Sequence, residues 1–321
     1  MPAAKRPAPR QPAVAAAHKN THEVIDPGWL LKALGVCLVA ALVCAWLTAC
    51  LLVYQGEWQL MLHPSRTVDR TPASVGLAYT EVAFGAAETG QPRLTGWWIP
   101  ADAPGGLQGK YAAYTFLYLH GGTGSLSDTV PALARLHRAG LNVFAFDYRG
   151  FGKSDASAHP SGGRMAEDAA AALDYLTATR HIAERDIVPY GAGLGGSLAA
   201  GLALGHPELP AVVLDNADPD PAGAAVAAHP SKLLPVRLLF GDQFDVARPL
   251  AKLTTAKLLL AGGPGCVEAA CNPEAMETLF RGAASPRFAV TLPQSSYEGD
   301  YEAALSRFLD QYLPAQPLPS R

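Results

Sequence analysis

A run of small residues past the middle of the chain has the pattern of a turn that presents a catalytic side chain. Residues 187–196 read Ile-Val-Pro-Tyr-Gly-Ala-Gly-Leu-Gly-Gly, which predicts an apolar strand, a glycine turn and a small-residue helix. The motif G-x-S-x-G occupies the same strand–turn–helix context and holds a serine that attacks carbonyl carbons. Gly193 fills the serine position here. Glycine adopts the strained backbone of such a turn because it has no Cβ, but it carries no nucleophile.

Three further segments stand in a fixed order around this turn. They are residues 118–124 (Tyr-Leu-His-Gly-Gly-Thr-Gly), 146–154 (Phe-Asp-Tyr-Arg-Gly-Phe-Gly-Lys-Ser) and 257–263 (Lys-Leu-Leu-Leu-Ala-Gly-Gly). With residues 187–196 they resemble the α/β-hydrolase superfamily, and more narrowly its membrane-anchored serine hydrolases with one N-terminal transmembrane helix. Residues 62–64 and 96–100 are similar to that subgroup as well. The resemblance covers residues 55–315 and implies an oxyanion-hole loop, a turn after the fourth strand, a nucleophile elbow and a strand before the acid.

The resemblance implies a Ser, an acid and a His in that chain order. At the matching positions this chain has Gly193, Cys266 and Tyr297. Two observations do not depend on the alignment of those positions: no G-x-S-x-G occurs in the chain, and no histidine follows His229. We therefore expect a degenerate triad and the loss of ester and amide hydrolysis.

Other side chains could form a displaced catalytic constellation. The candidates are the hydroxyls of Ser154 and Ser197, the imidazoles of His120, His159, His206 and His229, and the carboxyls of Asp215, Asp218 and Glu268. Ser197 falls one helical turn beyond the elbow, so we interpret it as a helix-packing residue. Ser154 is interpreted as a turn hydroxyl that bonds nearby backbone. His120 is interpreted as structural, and the other histidines as surface loop residues.

The hydrogen-bond donors of the site are predicted to persist without the triad. Leu194 would offer its backbone N–H, and Gly122 or Thr123 would offer a second one. Two converging N–H groups beside a helix N-terminus bind an anion or a carbonyl oxygen without any catalysis.

Strands alternate with helices after residue 77, which predicts a mostly parallel sheet covered on both faces. With the resemblance, this gives an α/β-hydrolase fold with eight strands. The predicted organisation is a disordered tail at 1–28, a transmembrane helix at 29–54, a connector at 55–76, the domain at 77–315 with a cap-like excursion at 216–250, and a tail at 316–321. Pro189 is unexpected in a central strand, because it lacks a ladder N–H.

The N-terminal part of the chain carries one long apolar run. Residues 33–54 contain no charged side chain, and 22 helical residues span about 33 Å, enough for a bilayer core. Positive charges precede the run, so we expect a cytoplasmic N-terminus and a domain on the outer side, which is periplasmic in a Gram-negative bacterium. The alternative is a lipoprotein, because residues 47–50 (Leu-Thr-Ala-Cys) resemble a lipobox with Cys50 as the lipidated residue.

Composition excludes some classes of partner. The net charge is −3 with 17% charged residues and no basic block, so we expect no nucleic-acid binding. Cys266 and Cys271 are the two cysteines of the domain, and in an oxidising compartment we expect them to form a short-loop disulfide. No histidine lies near them, which argues against zinc, and we expect no cofactor.

Two functions fit these observations. The first is a non-catalytic relative of serine hydrolases that binds a small acyl or carboxylate ligand, or a protein partner, at the vestigial cleft. The alternative is an active carboxylic ester or peptide hydrolase with a displaced catalytic constellation.

The charge asymmetry makes the membrane topology testable. An alkaline-phosphatase fusion to the C-terminus is expected to be active, because that enzyme matures only outside the cytoplasm, and a β-galactosidase fusion at the same site is expected to be inactive. The reverse pair of activities would place the domain in the cytoplasm.

Overall fold

A computed structural model describes residues 26–86, 91–101, 110–156, 159–223, 244–263 and 273–314. The chain divides into two compact units, Met1–Ala49 and Cys50–Arg321. The helices are α1 Pro27–Met61, α2 Leu126–Arg138, α3 Gly162–Asp174, α4 Gly195–Gly205, α5 Ala247–Lys252, α6 Pro273–Gly282 and α7 Tyr297–Tyr312. The strands are β1 His63–Pro64, β2 Thr80–Ala86, β3 Pro92–Ile99, β4 Thr115–Leu119, β5 Thr123–Gly124, β6 Asn142–Asp147, β7 Ile187–Ala192, β8 Ala211–Asp215, β9 Ala256–Gly262 and β10 Arg287–Leu292.

Eight strands form one sheet in the order β10-β9-β8-β7-β4-β6-β3-β2. All neighbouring pairs are parallel except β2 with β3 and β3 with β6. The prediction of a mostly parallel sheet is therefore confirmed. Pro189 lies opposite Leu117 of β4, and the ladder of β7 with β8 begins at the next residue, Tyr190.

Two apolar layers enclose the sheet. Leu133 and Leu136 of α2 pack on one face together with Leu305 of α7. Met165 of α3 and Leu198 of α4 belong to the core on the opposite face. The strand side chains alternate between these two layers. Because most of the strands are parallel, their carboxyl ends meet at one edge of the sheet, where ligands bind in open α/β folds.

Helix α1 differs in extent from the transmembrane helix predicted at 29–54. It begins at Pro27 and runs to Met61, because the sequence offers no helix-ending signal before Pro64. Residues 27–56 are long and apolar enough to cross a membrane. The connector predicted at 55–76 thus starts as helix, and its next residues form β1, which pairs with β5 of the domain.

The cap-like excursion predicted at 216–250 lies partly outside the described residues, which omit 224–243. Its last residues begin the short helix α5. The predicted tails at 1–28 and 316–321 also lie almost entirely outside the described part of the chain.

A lysine is buried at the amino end of β9. The ammonium group of Lys257 donates to the carbonyl oxygens of Ala284, at 2.8 Å, and Pro286, at 3.1 Å. Burial, with a smaller effect from Arg287, lowers the pKa of Lys257 to about 8. The carbonyls partly replace the water that a charged lysine loses when it is buried.

The lowered pKa of Lys257 predicts a pH dependence of stability. Between pH 8 and 10.5 the unfolded chain holds more protons than the folded one, so this residue makes stability rise with pH in that window. Below pH 8 both states are protonated and its contribution is constant. We expect the difference in melting temperature between wild type and Lys257→Met to grow in favour of wild type from pH 8 to 10. The exposed Lys252→Met variant is the control, and parallel profiles for wild type and Lys257→Met would contradict the burial of the ammonium group.

Candidate active-site cleft

The predicted elbow lies where β7 passes into α4. The strand ends at Ala192, Gly193 and Leu194 form the turn, and α4 starts at Gly195. Gly193 has φ +54°, in the left-handed region that favours glycine. The N–H of Gly193 donates to the backbone oxygen of Asp215, at 2.9 Å, so the turn is tied to the end of β8.

The two glycines of the elbow differ in how much space surrounds them. A Cβ on Gly195 would lie 2.0 Å from the carbonyl oxygen of Leu119, so glycine is required for α4 to approach β4. A Cβ on Gly193 would meet only the Cα of Gly121, at 3.9 Å, within a 4 Å radius. Position 193 therefore has space for a side chain although it carries none.

The predicted oxyanion loop borders the elbow. It runs from the end of β4 to Ser125, whose hydroxyl accepts the N–H of Ser127 and caps α2. A Cβ on Gly122 would lie 2.8 Å from the Cδ1 of Leu194, so loop and elbow are in contact. Thr123 is exposed, and Leu194 is half-buried.

A free N–H group is present at this junction. Among the backbone hydrogen bonds of the described loops and turns, none has the N–H of Leu194 as its donor. In the first turn of α4, which begins at the next residue, the N–H of Gly196 donates to the Gly193 oxygen and that of Ser197 donates to the Leu194 oxygen. The cleft can thus offer the Leu194 N–H to a carbonyl or carboxylate oxygen.

Tyr297, in the position predicted for the catalytic histidine, belongs to an aromatic–cation cluster. Its hydroxyl accepts a hydrogen bond from Nη1 of Arg135, at 2.8 Å, and its ring lies 4.8 Å from the guanidinium carbon. The same guanidinium lies 5.0 Å from the ring of Tyr301. Gly263 faces the Tyr297 ring so closely that a Cβ would lie 2.0 Å from its Cε2. Burial, followed by the nearby Asp215, raises the pKa of Tyr297 to about 12.

Asp215, at the end of β8, is the buried acid of the same region. Its Oδ2 accepts the hydroxyl of Tyr190, at 2.5 Å, and that hydroxyl lies 2.9 Å from the hydroxyl of Tyr301. Burial raises the pKa of the Asp215 carboxyl, partly offset by the hydrogen bond from Tyr190 and by the charge of Arg135. Asn216 donates to its other oxygen, at 3.1 Å. Among the described residues, this carboxyl is hydrogen-bonded to a tyrosine and an asparagine rather than to an imidazole.

The hydroxyls considered for a displaced constellation have local partners. Ser197 donates to the carbonyl oxygen of Leu194, at 2.8 Å, within the first turn of α4. Ser154 donates to the backbone oxygen of Asp147 and accepts the N–H of Thr95, at 2.9 Å, so it joins two strands.

Two histidines of the described chain lie near carboxylates. Nδ1 of His206 is 2.9 Å from Glu184, and Nε2 of His120 is 3.9 Å from Asp147. Burial lowers the pKa of His120 to about 4 and raises that of Asp147 to about 6. Among the described residues, neither imidazole is hydrogen-bonded to a serine hydroxyl.

The remaining candidates are distributed elsewhere or are not described. His159 is exposed, and Asp218 is half-buried and accepts the N–H of Asp220, at 3.0 Å. Cys266, Cys271, Glu268 and His229 lie outside the described residues, so the predicted acid position and the expected disulfide stay predictions.

Comparisons with known proteins agree with this architecture. The profile of a family described as serine aminopeptidase, S33, matches residues 112–235. An uncharacterised protein of Mycobacterium tuberculosis is 29% identical over 262 residues, which cover 82% of this chain and 87% of that protein. Protein bem46 of Schizosaccharomyces pombe is 36% identical over 105 residues, 32% of this chain and 34% of its own length. The solved esterase Pf2001 of Pyrococcus furiosus superposes with a TM-score of 0.59 at 20% identity, covering 79% of this chain and 98% of the esterase.

The chain has the α/β-hydrolase fold. Because the structural likeness lies below 25% identity, it establishes the fold and not the reaction. In this chain, β7, the elbow and α4 stand in the order expected for the fold.

Sequence reasoning missed the cluster formed by Arg135, Asp215 and the tyrosines around them. One signal was available: Tyr118 and Tyr190 occupy paired positions on two buried strands. A buried tyrosine hydroxyl needs a hydrogen-bond partner, and such a pair predicts polar groups nearby. Arg135 could not be assigned to the cluster, because its contacts depend on how α2 and α7 pack.

The surroundings of the two elbow glycines predict different losses of stability for two nearby substitutions. Gly193→Ala is expected to cost about 1–2 kcal/mol, because only the positive φ opposes it. Gly195→Ala is expected to cost about 3 kcal/mol or more, because its Cβ meets backbone oxygen. Chemical denaturation of the two variants and wild type measures both values, and equal costs would contradict the open space at position 193.

Proposed function

We propose that this protein is a membrane-anchored, non-catalytic relative of serine hydrolases that binds a small acyl or carboxylate ligand at the cleft beside the elbow. The observation that carries the proposal is the open position at Gly193. A serine there would fill the space next to the Leu194 N–H, and its absence leaves that space to an atom of a ligand. The half-buried state of Gly193 and Leu194 gives such a ligand access.

The chemistry of the surrounding groups supports binding without hydrolysis. Acyl transfer needs a nucleophile, a base and an acid acting together. Position 193 supplies no oxygen, and the Tyr297 hydroxyl, with a pKa of about 12, already accepts a hydrogen bond from Arg135. A hydroxyl with that pKa is protonated at neutral pH and takes no proton from a nucleophile. Backbone donors do not depend on side chains and persist when a triad is lost.

The anchor part of the proposal is supported by α1. Its surface carries exposed large apolar side chains, among them Trp29, Leu38 and Leu52. Such a surface is stable in lipid and unfavourable in water. The proposed anchor attaches the chain to a membrane, with the domain on the outer side if the charge asymmetry of the sequence sets the topology.

Two measurements on the full chain in lipid nanodiscs test the proposed function. A fluorophosphonate probe is expected to label neither wild type nor Gly193→Ser, because the variant gains a hydroxyl without a base. Calorimetry with sodium butyrate is expected to detect binding to wild type and at least tenfold weaker binding to Gly193→Ala, whose methyl group occupies the open space. The matched control is Gly201→Ala, at an exposed position of α4 with nothing within 4 Å of the added Cβ.

The outcomes separate the two functions. Labelling of wild type by the probe would establish an active hydrolase with a displaced constellation and overturn the proposal. Equal butyrate affinity in Gly193→Ala and Gly201→Ala would show that the ligand does not use the elbow.

A further inference from the structure

The segment between α1 and the domain is hydrogen-bonded to the predicted oxyanion loop. We name residues 62–70 the strap. Within it, β1 pairs in parallel with β5. The N–H of His63 donates to the Gly122 oxygen, at 2.7 Å, and the N–H of Ser65 donates to the Gly124 oxygen, at 2.8 Å. The strap therefore lies along the loop as an added two-residue strand.

The strap is also bonded to the turn that follows β6. The N–H of Gly152 donates to the Ser65 oxygen, at 2.8 Å. Nη1 of Arg66 donates to the carbonyl oxygens of Phe151, at 3.3 Å, and Ser154. Two separate loops at the carboxyl edge of the sheet are thus joined through the strap.

The last part of the strap is bonded to the start of α2. The Ser127 hydroxyl oxygen accepts the N–H of Arg70, at 2.7 Å, and lies 2.6 Å from Oδ1 of Asp69, to which it donates. Ser125 donates to the Thr67 oxygen, at 2.8 Å. Both serines are buried, so these bonds are shielded from water and hold the strap in one position.

The bond from His63 determines how one peptide unit is oriented. The carbonyl of Gly122 and the N–H of Thr123 belong to the same planar trans peptide and point in opposite directions. Because the Gly122 oxygen faces the strap, the Thr123 N–H points away from it. Leu62 and Leu194 approach Gly122 closely, with Cδ atoms 2.7 and 2.8 Å from the position of a Cβ. A flipped peptide would lose the His63 bond and turn the N–H toward the strap.

We propose that the strap is a conformational lock, which fixes the Gly122–Thr123 peptide so that the Thr123 N–H serves as the second donor of the cleft. Ligand binding in the cleft and docking of the strap are then thermodynamically linked, so each strengthens the other by the same factor. The ligand part of this inference rests on the proposed function.

A substitution that removes a single N–H tests the lock. His63→Pro deletes the donor to the Gly122 oxygen, since proline has no N–H, and His63→Ala removes the same exposed side chain but keeps the donor. With the full chain in nanodiscs, His63→Pro is expected to bind butyrate at least tenfold more weakly than His63→Ala. Loss of one hydrogen bond to a charged ligand group corresponds to about that factor. Equal affinities would overturn the lock.

Hydrogen–deuterium exchange gives a second readout that needs no variant to fold. In wild type, butyrate is expected to slow exchange in the strap segment 62–67, which contains the donors of His63 and Ser65. Unchanged exchange there, with butyrate bound, would overturn the linkage and leave the proposed function intact.

If wild type binds no butyrate, the proposed function fails. Hydrogen–deuterium exchange measured without ligand then tests whether the strap fixes the Gly122–Thr123 peptide. Exchange in segment 121–125 at least tenfold faster in His63→Pro than in His63→Ala would support it, and equal rates would overturn it.

Discussion

Helix α4 begins against the carbonyl oxygen of Leu119, at a distance that no side chain on Gly195 would permit. This close approach brings the first turn of α4 to the carboxyl ends of β4 and β7. The elbow, the oxyanion loop and the end of β8 meet there because of it. The contact depends on glycine at position 195, whereas the glycine at position 193 has space around it. Gly195 is thus required for the packing of α4 on β4, whereas Gly193 leaves the elbow without a nucleophilic side chain.

Much of the fold could be predicted from the sequence. Buried parallel strands appear in the sequence as continuous apolar runs. The runs at residues 114–119 and 141–146 differ from the observed strands β4 and β6 by one residue at most at either end. The glycines of the elbow marked the turn, since few other sequences allow a helix to start so near a strand. Helix α1 continues seven residues beyond the transmembrane segment predicted at 29–54, because residues 55–61 include polar side chains and Gly56, none of which is sufficient to stop a helix.

The site was less accessible to prediction. Residue 193 could be located because the motif is local in sequence. The Arg135–Tyr297 contact joins residues 162 positions apart, and the Tyr190–Tyr301 contact joins residues 111 positions apart. Such contacts are set by the packing of α2 and α7 on the sheet, and no local pattern encodes them. The strap was missed for the same reason: its polar sequence resembles a linker, but its backbone bonds belong to the domain.

The strap has a consequence for how the protein is made. Arg66 bonds residues 85 and 88 positions further along the chain, so the strap cannot complete its hydrogen bonds until those residues have been synthesised. The bonds that join the loop after β4 to the turn after β6 through the strap therefore form only once the turn beyond β6 has been made.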